Sequence, residues 1–202
     1  EQICALGNEP AGDVEEYFTF TVNGRINHKK GYSKIFQKTL PVNERVLSCE
    51  RCELCQECSS PVLPSPGYFN IMICGEAPGK DEDRLGKGFV GKSGQDVLWP
   101  ALKEHGLKRS DFHITNICKC YPSQSKTPTR EHITKCKRWL ENEIEYLKPA
   151  FILVFGNTGL KAFTNKEAGI TDLNSKIEWN DKYQTYICWC IHPSAVLRNP
   201  SN

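Results

Sequence analysis

The chain of 202 residues contains no run of about 18 apolar residues, so no membrane-spanning helix is expected. Its first residues, Glu1-Gln2-Ile3-Cys4, lack the basic start and apolar run of a secretory signal. Export is therefore not expected, and the cytoplasm is the expected location. Neither sign of charge predominates: 26 Lys and Arg against 24 Asp and Glu leave a net charge of +2. A nucleic-acid partner would need a local basic surface, because the overall balance supplies none. Apolar residues make up 39% and charged residues 25%, as in ordinary globular proteins. The length suits one α/β domain with a real core and is too short for two large ones.

Cysteine is the residue in excess. There are eleven, an odd number, so a complete disulfide framework would leave one thiol over. Such frameworks belong to small secreted domains, which makes metal or cluster binding the better expectation. Cys49-Glu-Arg-Cys52 has the two-residue gap that lets two sulfurs reach one metal, and so do Cys52/Cys55 and Cys55/Cys58. Spacing does not choose among them, and zinc remains open beside iron and sulfur because thiolates suit both. Cys120 and Cys136 lie further along. Cys74, Cys118, Cys188 and Cys190 alternate with apolar residues in expected strands and read as small core residues.

Residues 1–45 form an extension with a hairpin signal, aromatic and β-branched residues around Asn23-Gly24. The Lys-rich stretch from His28 to Lys38 reads as a solvated face that can also touch phosphate. From residue 46 to 202 a single domain is expected. Apolar runs at Phe69–Cys74, Phe112–Cys118, Phe151–Phe155 and Tyr186–Ile191 predict four strands. Between them lie helices at 95–106, Thr129–Leu147 and from about Asn157. Strands alternating with helices imply a parallel four-stranded sheet between two helical layers. Ligands of such sheets sit outside the carboxyl ends of the strands, here Gly75–Gly79, Asn116, Gly156 and His192.

Three segments at those ends resemble the motifs of the family 4 uracil-DNA glycosylases. They are Gly75-Glu-Ala-Pro-Gly79-Lys-Asp-Glu-Asp83 with Gly86-Lys-Gly-Phe-Val-Gly91-Lys-Ser-Gly94, then Asn116-Ile-Cys-Lys-Cys120-Tyr-Pro122, then His192-Pro193-Ser194-Ala-Val-Leu-Arg198. The resemblance covers about residues 46–202. It implies a four-iron–four-sulfur cluster on Cys49, Cys52, Cys120 and Cys136, since Glu53-Leu54 then matches the Pro-Leu that follows the family's first pair. Gly88 stands where the family has Pro and Tyr121 where it has Arg, while Cys55 and Cys58 are additional. A related branch attacks DNA covalently with a His before Lys-Thr-Pro. Ser125 stands there and His132 lies too far along, so that chemistry is not expected.

The resemblance implies removal of uracil from DNA, and a monomer is expected. A flipped base needs a stacking ring, for which Phe89 is the candidate, with Ala77 beside it. Asn116 offers one acceptor and two donors to the uracil edge. His192 would donate to the charge that develops at O2. Glu76 would stabilise the cationic sugar, with Glu82 the second candidate carboxylate. Ser194 and the backbone around Gly91, Ser93 and Gly94 would hold phosphates, Val196 or Leu197 would wedge into the stack, and Arg198 would contact phosphate. Two other readings stay open. One is a same-fold enzyme acting on another or modified base. The other is a non-catalytic DNA-binding or replication-partner module, with residues 1–45 as a docking element for a protein.

Overall fold

A computed structural model describes residues 43–125, 127–164 and 169–199, together with the backbone of two short earlier strands. Those strands, β1 (Phe18–Phe20) and β2 (Ile26–His28), pair antiparallel with Phe20 opposite Ile26. The expected Asn23-Gly24 turn and Lys29–Lys38 lie outside the described residues.

The main sheet comprises β3 (Ile71–Gly75), β4 (His113–Asn116), β5 (Phe151–Phe155), β6 (Ile177–Asn180) and β7 (Thr185–Cys190), in the order β4-β3-β5-β7-β6. The first four in that order are parallel, and β6 adds antiparallel to the edge. The expected four-stranded sheet thus has a fifth strand. Ile177-Glu-Trp-Asn180 is short and only partly buried, so it carries no apolar run. It forms by hairpin pairing with β7, where Gln184 takes a left-handed turn conformation with φ of 50°.

Alternation along the strands creates two cores. Met72, Cys74, Ile152, Val154, Ile187 and Trp189 face one way, against Trp139, Leu140 and Ile144 of the long helix. Ile73, Ile114 and Phe155 face the other way, against Phe89, Leu98 and Leu107. Burying each such large side chain contributes about 1.5–3 kcal/mol. The flanking helices are α1 (Asn43–Leu47), α2 (Leu54–Glu57), α3 (Lys80–Leu85), α4 (Trp99–Glu104), α5 (Arg130–Leu147), α6 (Gly156–Phe163), α7 (Ile170–Leu173) and α8 (Pro193–Arg198).

In α5, Ile133, Cys136, Leu140, Ile144 and Leu147 recur at three- and four-residue spacing and form the buried stripe. Thr129 caps this helix by accepting the His132 N–H at 3.3 Å, and His132 Nδ1 accepts the Thr129 N–H at 3.1 Å. Pro149 follows the left-handed Lys148 and ends it. The helix expected over 95–106 is two pieces: a wide π-type turn at Ser93–Leu98 leads into α4. Among the described residues, no helix is long and apolar enough to cross a membrane.

Candidate active site and cysteine recess

The carboxyl ends of β3, β4, β5 and β7 open into a cleft of about 540 Å³. Glu76, Ala77, Glu82, Phe89, Ser93, Asn116, His192, Ser194 and Arg198 all line it. They come from three stretches far apart in sequence, after β3, at the end of β4 and after β7, and Gly156 and Asn157 join them after β5; parallel pairing brings these strand ends side by side. Gly75 is in register with Asn116, and the pairing continues past the strands through Ile117 N–H to the Gly75 carbonyl at 2.9 Å.

Asn116 ends β4 and is 5% exposed. A methyl group on Gly75 would overlap Asn116 Oδ1 and stand 2.7 Å from Phe89 Cζ. A methyl on Gly88 would stand 3.6 Å from Asn116 Nδ2. The amide therefore lies in a slot bounded by two glycines.

Phe89 adopts a left-handed φ of 53°, unusual for an aromatic residue. The Trp99 indole N–H donates to its carbonyl at 2.7 Å, and Gly94 packs so closely on that carbonyl that no side chain fits there. The Phe89 ring lies nearly parallel to His192, with centroids 6.2 Å apart and 25° between planes, and it leans on Phe155. Phe89 thus belongs to the second core and also forms a wall of the cleft.

His192 caps α8. Its Nδ1 accepts the Ser194 N–H at 3.1 Å and lies 2.8 Å from Ser194 Oγ. With Nδ1 accepting, the neutral ring carries its proton on Nε2. Burial, and then the Arg198 charge, pull the imidazole pKa down to about 4. The ring is therefore a neutral donor at physiological pH.

Glu82 is placed differently from Glu76. Its Oε1 accepts the Gly91 N–H at 2.7 Å and its Oε2 the Gly79 N–H at 3.1 Å, so it braces the first loop against the second. The Gly94 N–H goes to the Gly91 carbonyl at 3.0 Å. Protein acceptors thus take the Gly91 and Gly94 N–H groups. Ser93 alone of that trio lines the cleft. On α8, Ser194 and Arg198 reach the cleft, Val196 is half-buried, and Leu197 is exposed. His132 is held between the Thr129 backbone and Glu53, whose Oε1 lies 2.6 Å from Nε2.

A second recess lies beside the sheet. Cys49, Cys52, Cys55, Cys120 and Cys136 line it, along with Trp139. The donor set is all thiol, and two N–H groups already point at its sulfurs. Trp139 Nε1–H donates to Cys49 Sγ at 3.4 Å, and the Lys119 N–H donates to Cys136 Sγ at 3.3 Å. Such N–H···S bonds are how proteins support cluster thiolates. A hydrogen bond from Cys118 pulls the Cys136 thiol down to about 7 against its burial, with the Lys119 charge assisting. Among the described residues no three His, Cys, Asp or Glu side chains are grouped as around one metal ion. The fit to a cluster therefore rests on the donor set.

The family profile described as the uracil DNA glycosylase superfamily matches residues 65–202. The chain belongs to the uracil-DNA glycosylase superfamily. Within it, the chain is 35% identical to a Type-4 uracil-DNA glycosylase of Pyrobaculum aerophilum over 168 residues, which cover 79% of this chain and 85% of that protein. It is also 35% identical to a Type-4 uracil-DNA glycosylase of Thermotoga maritima over 164 residues, covering 80% of this chain and 84% of that one. A DNA polymerase of Bacillus phage SP01 is 31% identical over 131 residues, 64% of this chain and 14% of the polymerase.

Sequence reasoning missed two residues of this superfamily member that shape the cleft from behind. Trp99 donates its indole N–H to the Phe89 carbonyl. Lys119, between two cysteines, is 1% exposed. No local signal marks either one, because each is defined by partners outside its own element.

Proposed function

We propose that the chain excises uracil from DNA by hydrolysing its N-glycosidic bond and leaving an abasic site. One observation carries this reading. Glu76, Phe89, Asn116 and a neutral His192 line the same cleft at the strand ends. A base inside a duplex must flip out, at a cost of a few kcal/mol for unstacking. Stacking on Phe89 returns about 1–3 kcal/mol of that. Uracil N3–H then donates to Asn116 Oδ1, and uracil O4 accepts from Nδ2. Cytosine reverses this pattern and leaves buried groups unpaired, at about 1–3 kcal/mol each. As the bond to C1′ breaks, its electron pair stays on uracil and charge gathers at O2, where Nε2–H of His192 donates. The sugar becomes cation-like. Glu76 is the carboxylate that faces it, because Glu82 has both oxygens occupied. Water adds to C1′, and its proton ends on the departing base.

Ser93, Ser194 and Arg198 are suited to phosphates at the cleft edge, and exposed Leu197 to the gap left by the flipped base. Cys49, Cys52, Cys120 and Cys136 would hold a four-iron–four-sulfur cluster. It would supply a cross-link between the segment before the sheet and α5 and no redox step in the hydrolysis. The likeness to part of a phage DNA polymerase supports a second reading, a replication-associated module without catalysis.

Incubating the purified chain with oligonucleotides containing uracil, thymine or a C5-modified uracil, and scoring abasic sites, decides between them. Uracil excision that falls roughly tenfold to a hundredfold in Asn116→Ala supports the glycosylase. No abasic sites from uracil with the intact chain would sink it. Excision confined to a modified base would transfer the reading to that substrate.

A further inference from the structure

The ammonium group of Lys119 is surrounded by three oxygens. Glu143 Oε1 lies 2.6 Å away, Thr115 Oγ1 2.7 Å and the Asn116 carbonyl 2.7 Å. A lysine has three donors and no acceptor; two hydrogen bonds, to Thr115 and the Asn116 carbonyl, and the ion pair to Glu143 surround it. Glu143 comes from α5 and is 0% exposed, and its other oxygen lies 3.6 Å from His113 Nε2 on β4. Burial pushes the Glu143 carboxyl up, but Lys119 and His113 outweigh it and hold the group below its ordinary range. None of these four side chains is among those lining the cleft.

Stability alone gives no reason for such a pair. Burying two charges forfeits their hydration, and apolar side chains of similar volume do as well or better. Position gives the reason. Through the Asn116 carbonyl, the ammonium holds the last peptide of β4, the one from which the Asn116 amide enters its glycine slot. The main-chain N–H of the same lysine donates to Cys136 Sγ in the cysteine recess. One residue thus touches the backbone of the base-reading residue and a sulfur of the recess.

We propose that Lys119, neutralised by Glu143, is a positioning residue. It fixes the end of β4 so that the Asn116 amide is set to pair with uracil, and it couples that amide to the cysteine recess. Lys119 touches no substrate and acts only through Asn116. The inference rests on Asn116 reading the base, as proposed above.

The test uses the full chain with its iron complement and four forms: wild type, Lys119→Met/Glu143→Gln, Asn116→Ala, and the triple combination. Unfolding temperature and iron content establish that each form is folded and loaded. Inhibition by free uracil, kcat and KM on a uracil oligonucleotide, and the uracil-to-cytosine ratio are then measured. Expected for the double variant are a roughly tenfold weaker uracil inhibition, a raised KM and a smaller uracil-to-cytosine ratio. In the Asn116→Ala background the same two changes should add less than about twofold. Wild-type uracil inhibition and base ratio in a folded, loaded double variant would overturn the proposal, and so would a full further loss on top of Asn116→Ala. Should the double variant not fold, Lys119→Met/Glu143→Leu, with wholly apolar replacements, is read by the same criteria. A wild-type chain that leaves uracil in place defeats the proposed function instead, so the two failures are distinct.

Discussion

Lowering the pH to 5.5 separates an ordinary histidine from His192 as the structure holds it. A free imidazole with a pKa near 6.5 is about nine-tenths protonated at that pH. His192, pulled to about 4, is protonated in about one molecule in thirty. The difference corresponds to about 3 kcal/mol favouring the neutral ring. Its causes are burial first and the Arg198 charge second, and Nδ1 already accepts the Ser194 N–H. Protonating Nδ1 would set two N–H groups against each other. Single-turnover excision from a uracil oligonucleotide, followed from pH 8 to pH 4, should therefore show no histidine limb near 6.5. Any limb due to His192 should lie near 4. The unfolded chain takes up a proton at this residue below about 6.5 while the folded chain does not. Stability is then fully present above 6.5 and is lost as the pH falls toward 4. A limb near 6.5 that disappears in His192→Gln would refute the argument, as would an imidazole titration near 6.5 seen by nitrogen NMR.

Gly75→Ala should abolish uracil inhibition while leaving the secondary structure intact, because the added methyl overlaps the Asn116 amide. Circular dichroism paired with a uracil inhibition curve checks this. Cys52→Ser should lose iron, sulfide and visible absorbance, whereas Cys55→Ser should retain them, although both residues line the recess. Equal iron content in the two variants would move the ligand register. Trp99→Phe keeps a ring but removes the donor to the Phe89 carbonyl, so stability should fall by about 1 kcal/mol and KM for uracil DNA should rise. Thermal unfolding and steady-state kinetics measure the two effects.

The parallel sheet was legible because Ile71–Gly75, Phe151–Phe155 and Thr185–Cys190 are buried on both faces and read as apolar runs. The position of the cleft followed from where those runs stop. β6 was not legible, since an edge strand with partly exposed residues needs no such run. Gly91 and Gly94 read as openings for phosphate, but one gives its N–H to Glu82 and the other accommodates the Phe89 carbonyl. Glycine marks a close approach of the backbone and does not say to what. Glu143 was invisible for another reason. It sits 24 positions beyond Lys119 by subtraction of their numbers, on a helix whose apolar stripe gives no sign that one stripe position is a carboxylate facing an ammonium.

The left-handed Phe89 connects these details. Holding a bulky residue at φ of 53° costs on the order of 1–3 kcal/mol. The surroundings over-determine it through Trp99 on its carbonyl, Phe155 and His192 against its ring, and Glu82 tying the following Gly91 to the first loop. Without those contacts the ring would not be held both in the second core and as a wall of the cleft. With them, the wall, the amide slot and the neutral imidazole are in place before any base arrives. A flipped base then meets a rigid surface and bears little ordering cost on entry. This fits the position of the thiol recess on the α5 side of the sheet. A cluster held there would stiffen α5 without occupying any of the space a nucleotide needs, and Lys119 joins the recess to the end of β4 through its N–H on Cys136 Sγ and its ammonium on the Asn116 carbonyl.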